Sequence, residues 1–302
     1  MKKTNRQALT EAITKLKKTN IPTPQLDAEL LLANVLRKSR EFVISYPKKR
    51  LNEKQIHDFE SMIIRRTNDE PLAYLTGEKE FYGLSFLVDK NTLIPRPETE
   101  LIVDKALDML RSMLRNKIIV VDVGTGSGNI IISVAKKLLQ TISGENTDLF
   151  AIDPSIKVLK VAQNNAKKHG VSENIKFLNG RFLNPLVNNP LFDIRDSSIL
   201  ILANLPYLSK DIYNTSPNCV KIFEPENALL SGQVGLDHYR KLLNQIKLLT
   251  IEQGISATTL IEISPEQKSL IIQEIKSLLP SAKIEFKKDL AEKWRLVIIT
   301  MK

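Results

Sequence analysis

The spacing of apolar residues changes along the chain and divides it into regions. Over the first 70 or so residues, Leu26, Leu30, Leu31, Ala33 and Leu36 form one set at three- and four-residue intervals, and Ile56, Phe59, Ile63 and Ile64 form another. Such intervals belong to helices with one packed face. Thr4 can cap a helix running to Lys17, Pro24 suits the first position of a second helix, and Asn52 precedes a third. Residues 1–70 therefore predict a small helical bundle without strands.

Residues 71–97 change character. Glu80 to Val88 is aromatic and β-branched around Gly83, as in a hairpin, and two prolines stiffen Ile94-Pro95-Arg96-Pro97 into an extended loop. Glu98 or Thr99 can open the helix that follows. From residue 117 onward short apolar runs alternate with helical patterns. Strands are predicted at Lys117–Val123, Asp148–Asp153, Ile175–Leu178, Ser198–Ala203, Thr258–Ile263, Ile284–Phe286 and Arg295–Thr300. Helices are predicted from Asn129, up to His169, over Gly235–Leu249 and after Pro265. This alternation implies an α/β fold, with a mostly parallel seven-stranded sheet covered on both faces. The expected domains are a helical unit over 1–70, a linker hairpin and proline-rich loop over 71–97, and the α/β unit over 98–302.

Composition narrows the function classes. At 302 residues the chain is long enough for two domains. No run approaches the ~18 apolar residues of a membrane span, and the basic start of the chain has no apolar signal core behind it. One cysteine, Cys219, and three scattered histidines offer no disulfide and no familiar metal spacing. The chain reads as cytoplasmic and free of metal and membrane. Net charge is +10, and residues 1–70 hold fifteen Lys/Arg against nine Asp/Glu. That excess fits a surface meeting RNA, ribosome or an acidic protein, and equally a solvated lysine-rich face, because the basic residues are spread over several helices.

Candidate chemistry begins where the first strand of the α/β unit ends. Val120-Val121-Asp122-Val123 runs into Gly124-Thr125-Gly126-Ser127-Gly128-Asn129 and then a helix. Glycines there let the backbone approach a nucleotide cofactor closely. A dinucleotide fingerprint would put its third glycine at 129, where Asn129 stands, and no P-loop Gly-Lys-Ser/Thr follows. Gly-x-Gly-x-Gly after an acidic strand residue fits S-adenosylmethionine enzymes, with Gly124, Thr125, Gly126, Ser127 and Gly128 as the contact loop. Asp153 ends the next strand, about thirty residues on, where its carboxylate can accept both ribose hydroxyls.

A second motif closes the strand Ile199–Ala203, in Asn204-Leu205-Pro206-Tyr207. It resembles the (Asn/Asp/Ser)-Pro-Pro-(Tyr/Phe) motif of methyltransferases acting on planar nitrogens. An amide or exocyclic amine has a delocalised lone pair and is a poor nucleophile. The Asn204 side-chain oxygen can accept one of its N–H bonds and the Leu205 backbone carbonyl the other, which favours pyramidalisation toward the methyl group. Pro206 stiffens the turn, and Tyr207 can stack on the planar group. Leu205 stands where the motif has its first proline, a change that preserves the carbonyl.

With these residues in view, the chain resembles the HemK/PrmC family of protein-(glutamine-N5) methyltransferases over nearly its whole length. Pro24-Gln25-Leu26-Asp27-Ala28-Glu29 looks like the family's N-terminal domain. Glu70-Pro71-Leu72-Ala73-Tyr74-Leu75-Thr76-Gly77 and Phe81-Tyr82-Gly83-Leu84 look like its linker. Ile94-Pro95-Arg96-Pro97-Glu98-Thr99-Glu100 is the most specific signature, and Phe223-Glu224-Pro225, Leu260-Ile261-Glu262-Ile263 and Lys288-Asp289-Leu290 also fit. The resemblance implies a Rossmann-like methyltransferase fold that uses S-adenosylmethionine and releases S-adenosylhomocysteine. It implies a class 1 peptide chain release factor as partner, modified at the glutamine of its Gly-Gly-Gln motif. It places Phe182 beside the adenine, Asn204 at the junction of cofactor and substrate, and the substrate on Asn204, Leu205, Pro206 and Tyr207. Arg96 and Glu98 would position the substrate backbone or pair with each other, and the helical domain would recognise the partner. The chain is expected to act as a monomer. Departures are Arg181-Phe182 for an acidic residue and tryptophan, Ser264 for a glycine, and the stretch Arg195-Asp196-Ser197-Ser198.

Two other readings fit parts of this pattern. An adenine-N6 methyltransferase acting on rRNA or DNA would use the same two acceptors, and Asn-Leu-Pro-Tyr suits it, but it is expected to bring a dedicated nucleic-acid domain. A non-catalytic binding protein would not need an intact Asn204 and glycine loop. Cys219, placed in the loop after the acceptor motif, and His238, on a helix, are given no chemical role, and Trp294 is expected to pack near the last strands.

Overall fold

A computed structural model describes residues 3–113, 117–141, 146–187 and 197–301. Its contacts divide the chain into two units, one ending at Glu78 and including Pro217–Phe223, the other formed by Lys79–Ser216 and the chain from Glu224 onward.

The first unit is helical. Helix α1 (Asn5–Leu16) starts at a capping box in which Thr4 and Gln7 satisfy each other's backbone N–H groups, and α4 (Glu53–Thr67) repeats the device with Asn52 and Gln55. Between them α2 (Pro24–Leu36) begins on the proline, whose missing N–H costs nothing at a helix start. Two short helices were not expected, α3 (Arg40–Ser45) and α5 (Leu72–Thr76). They hold about a turn or two each, too few residues for a period to be read. Leu16, Leu31, Leu32, Val43, Leu51, Phe59 and Ile63 are buried together. Each such side chain contributes about 1.5–3 kcal/mol. Asp27 and Arg66 form a buried ion pair at 2.7 Å, which holds α2 to α4.

The second unit opens with the hairpin of β1 (Glu78–Phe81) and β2 (Leu84–Leu87). Its two turn residues, Tyr82 and Gly83, have φ of 53° and 70°, the paired left-handed conformation that matches strand twist. A 3₁₀ turn, Pro97–Thr99, leads into α6 (Glu100–Met113). The α/β core follows as β3 (Ile118–Val123), α7 (Asn129–Thr141), β4 (Thr147–Asp153), α8 (Ile156–His169), β5 (Ile175–Asn179), α9 (Asn184–Val187) and β6 (Ser198–Ala203). Short helices α10 (Lys210–Thr215) and α11 (Asn218–Phe223) come next, the latter within the first unit. Then α12 (Asp237–Lys247), β7 (Ala257–Glu262), α13 (Lys268–Leu278), β8 (Lys283–Lys288) and β9 (Trp294–Met301) complete the chain. Cys219 thus lies on α11 rather than in a loop, because Pro217 and the residues after it close one helical turn. Arg195 and Asp196 lie outside the described residues.

The sheet runs β5-β4-β3-β6-β7-β9-β8, parallel except for β9. Alternate residues of its central strands enter two cores. Ile119, Val121 and Val123 pack with Tyr239, Leu242 and Ile246 of α12 on one face. Ile118 and Val120 pack with Ile102, Ala106 and Leu110 of α6 on the other. Both faces being covered explains why β3 reads as an unbroken apolar run.

Candidate active site

Strand register assembles the site. Val123 pairs with Ile152 of β4 on one side and with Ala203 of β6 on the other, and Ala203 pairs in turn with Ile261 of β7. The next residues along, Asp153, Gly124, Asn204 and Glu262, therefore stand abreast at the carboxyl ends of four neighbouring strands. Strand order reverses between β3 and β6, the position where open α/β sheets bind ligands. A cavity of about 350 Å³ lies there, within the second unit, in the range of small-molecule sites.

The cofactor side is built from backbone. Gly124, Gly126 and Gly128 have φ of 74°, 56° and 80°, where any side chain is strained. At Gly124 space is also lacking, since a Cβ would lie 2.8 Å from Leu205 Cδ2. The loop is tied to β4 through Asp153, whose two oxygens accept from the N–H groups of Gly126 (3.2 Å) and Ser155 (2.9 Å). Asp153 is largely buried, and burial raises its pKa against these two donors. Asp153 lines the cavity. Thr125 turns its hydroxyl to the buried Asp122 carboxylate at 2.7 Å. Burial pushes the Asp122 pKa up to about 7.

At the far end Phe182 lines the cavity with a φ of 53°, its ring 6.1 Å from that of His238. His238 also lines the cavity, although its sequence position suggested only surface or packing. Its Nδ1 is 2.7 Å from the hydroxyl of buried Ser231. Burial and, next, Lys241 lower its pKa, which favours the neutral ring.

The acceptor side is built from side chains. Asn204, Leu205 and Pro206 line the cavity, whereas Tyr207 is not among the lining residues. Asn204 Nδ2 donates to Thr99 Oγ1 at 3.0 Å, and Thr99 donates to Glu262 Oε2 at 2.7 Å. Tyr207 donates its hydroxyl to the other Glu262 oxygen at 2.9 Å. Burial, then the Glu262 charge, push the phenol well above its usual pKa, so it remains a donor. Gln267 fixes the backbone of the motif through the Tyr207 carbonyl at 2.7 Å. Gly235 admits this bond, because a Cβ there would sit 2.2 Å from that carbonyl oxygen.

Arg96 and Glu98 do not pair. Arg96 lines the cavity and is bound to the buried carboxylate of Glu224 at 2.5 Å, while Glu98 is exposed and not among the lining residues. Glu224 also accepts from the Ile94 N–H at 3.3 Å, so it holds the proline-rich loop at the cavity. Sequence reasoning gave Glu224 and Glu262 no individual role and Thr99 only that of opening a helix. An acidic residue inside the apolar run Leu260–Ile263 was the available signal for Glu262.

Comparison with known proteins places this geometry. A methyltransferase domain model matches residues 114–293, and the PrmC N-terminal domain model matches residues 7–77. The hMettl16 catalytic domain, solved in complex with MAT2A 3′UTR hairpin 6, superposes with a TM-score of 0.52 at 12% identity over 84% of each chain, a likeness of fold. The protein is a methyltransferase with a Rossmann-like sheet. Among curated proteins, the release factor glutamine methyltransferase of Dictyoglomus turgidum is 34% identical over 94% of both chains. That of Mycoplasma mycoides subsp. mycoides is 32% identical over 95% of this chain and 96% of its own. That of Nitratidesulfovibrio vulgaris is 35% identical over 82% and 79%. The chain belongs to the release factor glutamine methyltransferase family.

Proposed function

We propose that the protein transfers a methyl group from S-adenosylmethionine to the side-chain N5 of the glutamine in the Gly-Gly-Gln motif of class 1 release factors. The observation that carries this reading is Asn204, held at the cavity wall by Thr99 with its amide oxygen left for a substrate.

The cavity fits the cofactor on three counts. Its volume suits a nucleoside, its floor is a loop with glycine at every other position, and one wall presents a buried carboxylate already braced by two backbone donors. Gly124–Gly128 would hold the amino-acid part, Asp153 the ribose hydroxyls and Phe182 the adenine. When bound, S-adenosylmethionine would supply a methyl group from a positively charged sulfur and leave as neutral S-adenosylhomocysteine, the methylated amide nitrogen releasing one of its two protons to solvent.

The chain's own residues prepare the nucleophile. Asn204 Oδ1 and the Leu205 carbonyl each accept one N–H of the substrate amide. Two acceptors fix the NH2 hydrogens and favour pyramidalisation of the nitrogen toward the methyl group. Both work as fixed dipoles already oriented before the reaction. Arg96 carries a positive charge at the same wall, suited to a carbonyl of the substrate backbone. The helical residues 1–70 serve in partner recognition, residues 71–97 as linker and loop, and residues 98–302 in catalysis.

The test offers methyl-labelled S-adenosylmethionine with three acceptors: a bacterial class 1 release factor, that factor with its Gly-Gly-Gln glutamine changed to alanine, and total RNA. Label is expected on the first alone. Label on adenine in RNA, with none on the factor, would replace this reading with that of an adenine-N6 methyltransferase.

A further inference from the structure

The two polar side chains of Asn204-Leu205-Pro206-Tyr207 converge on one residue that does not touch the cavity. Glu262 is 1% exposed, and its two oxygens take the hydroxyls of Thr99 and Tyr207. Its backbone carbonyl accepts from the buried Tyr239 hydroxyl. Thr99 is likewise 1% exposed. Neither Thr99 nor Glu262 is among the cavity-lining residues.

The direction of these bonds carries information. A carboxylate only accepts, and a hydroxyl has a single proton to give. Thr99 spends that proton on Glu262, so toward Asn204 it has only lone pairs. Asn204 can satisfy it only with Nδ2, and the planar amide must then turn Oδ1 the other way, toward the cavity. With a flipped amide, Asn204 would offer a donor to a substrate NH2 that also only donates, and no bond would form. We infer that Thr99 and Glu262 are positioning residues that fix the amide of Asn204 with its oxygen toward the substrate. The inference rests on the proposed function for the identity of that substrate. Glu262 gives Tyr207 the same treatment through its second oxygen, so one carboxylate sets both polar members of the motif. Burial is the largest influence on Glu262 and leaves its pKa above the usual value, with the Thr99 and Tyr207 hydroxyls and Arg295 pulling it partly back down.

Thr99→Val and Thr99→Ser separate polarity from packing. Valine keeps the shape and loses the hydroxyl, and serine keeps the hydroxyl and loses a methyl. With a release factor as substrate, kcat should fall on the order of tenfold or more in Thr99→Val, the scale of one lost orienting hydrogen bond. It should stay within about threefold in Thr99→Ser, with affinity for S-adenosylhomocysteine held within about threefold in both. A wild-type kcat in Thr99→Val, or an equal loss in Thr99→Ser, overturns the inference. A second readout needs no turnover. In ¹⁵N spectra of the S-adenosylhomocysteine complex, one side-chain amide proton of Asn204 should be shifted downfield and slow to exchange. Thr99→Val should abolish this signature and Thr99→Ser restore it. If wild type methylates no glutamine but the signature behaves so, the proposed substrate falls and the positioning role stands. If the signature ignores Thr99→Val, the positioning role falls whatever the substrate.

Discussion

The two ends of the cavity are made by opposite means. The cofactor end is a continuous stretch, Gly124–Gly128, that works through its backbone and the lack of a Cβ at three of its positions. Its distant partners include Asp153, which ends the adjacent strand, and Asn165 of α8, which donates to the Ser127 carbonyl. The acceptor end is a four-residue motif whose orientation comes from far away in the chain. Asn204 is set by Thr99, 105 residues earlier, and Thr99 by Glu262, 163 residues later. A backbone site is specified where it is written. A side-chain site depends on the whole sheet being assembled in register, because Ala203 opposite Ile261 is what brings Asn204 beside Glu262.

The comparison can be broken from either side. The largest effect is expected for Asn204→Ala, which removes one of two amide acceptors. Its methyl-transfer rate should fall by about 10²–10³, as for loss of one oriented charge-stabilising group. Affinity for S-adenosylhomocysteine, measured by titration calorimetry, should change far less. Next comes Gly124→Ala, which imposes both a left-handed φ and a clash with Leu205. About 1–3 kcal/mol of strain is expected, read as weaker cofactor-product binding and a lower melting temperature. Asp153→Asn keeps the shape and loses the charge. Cofactor affinity should drop about tenfold or more, with a smaller effect on kcat at saturation.

An effect of a different kind, on stability rather than turnover, is a pH dependence at Asp122 behind the cofactor loop. Asp122 has its folded-state pKa raised by burial to about 7, against about 4 unfolded. Between those values the folded form holds a proton that the unfolded form has lost. Its contribution to stability is therefore full below about pH 4 and declines as pH rises through about 7. Asp122→Asn, which still accepts from Thr125, should flatten that decline in melting temperature measured from pH 4 to 8. A decline of equal slope in the variant would assign it to other groups.

What was legible in the sequence follows the same division. The glycine loop, Asp153 and the seven strands could be read because each is a local pattern of period, φ demand or strand end. The helices α1, α2 and α4 were legible from caps and apolar spacing. The short helices α3 and α5 were not, having too few turns to show a period. The Asn204 motif was visible, but its support by Thr99 and Glu262 was not, since only the assembled sheet makes them neighbours. Arg96 likewise found its partner in Glu224, 128 residues away, rather than in nearby Glu98.

The central claim is that this site recognises a planar NH2 through two acceptors. The most direct measurement gives the enzyme a release factor whose Gly-Gly-Gln glutamine is changed to glutamate, nearly the same shape without the N–H bonds, and locates any label by mass spectrometry. The account predicts methylation of the glutamine factor and none of the glutamate factor. A methyl ester on the glutamate formed at a comparable rate would contradict it, because a carboxylate oxygen has no proton for Asn204 or Leu205 to accept.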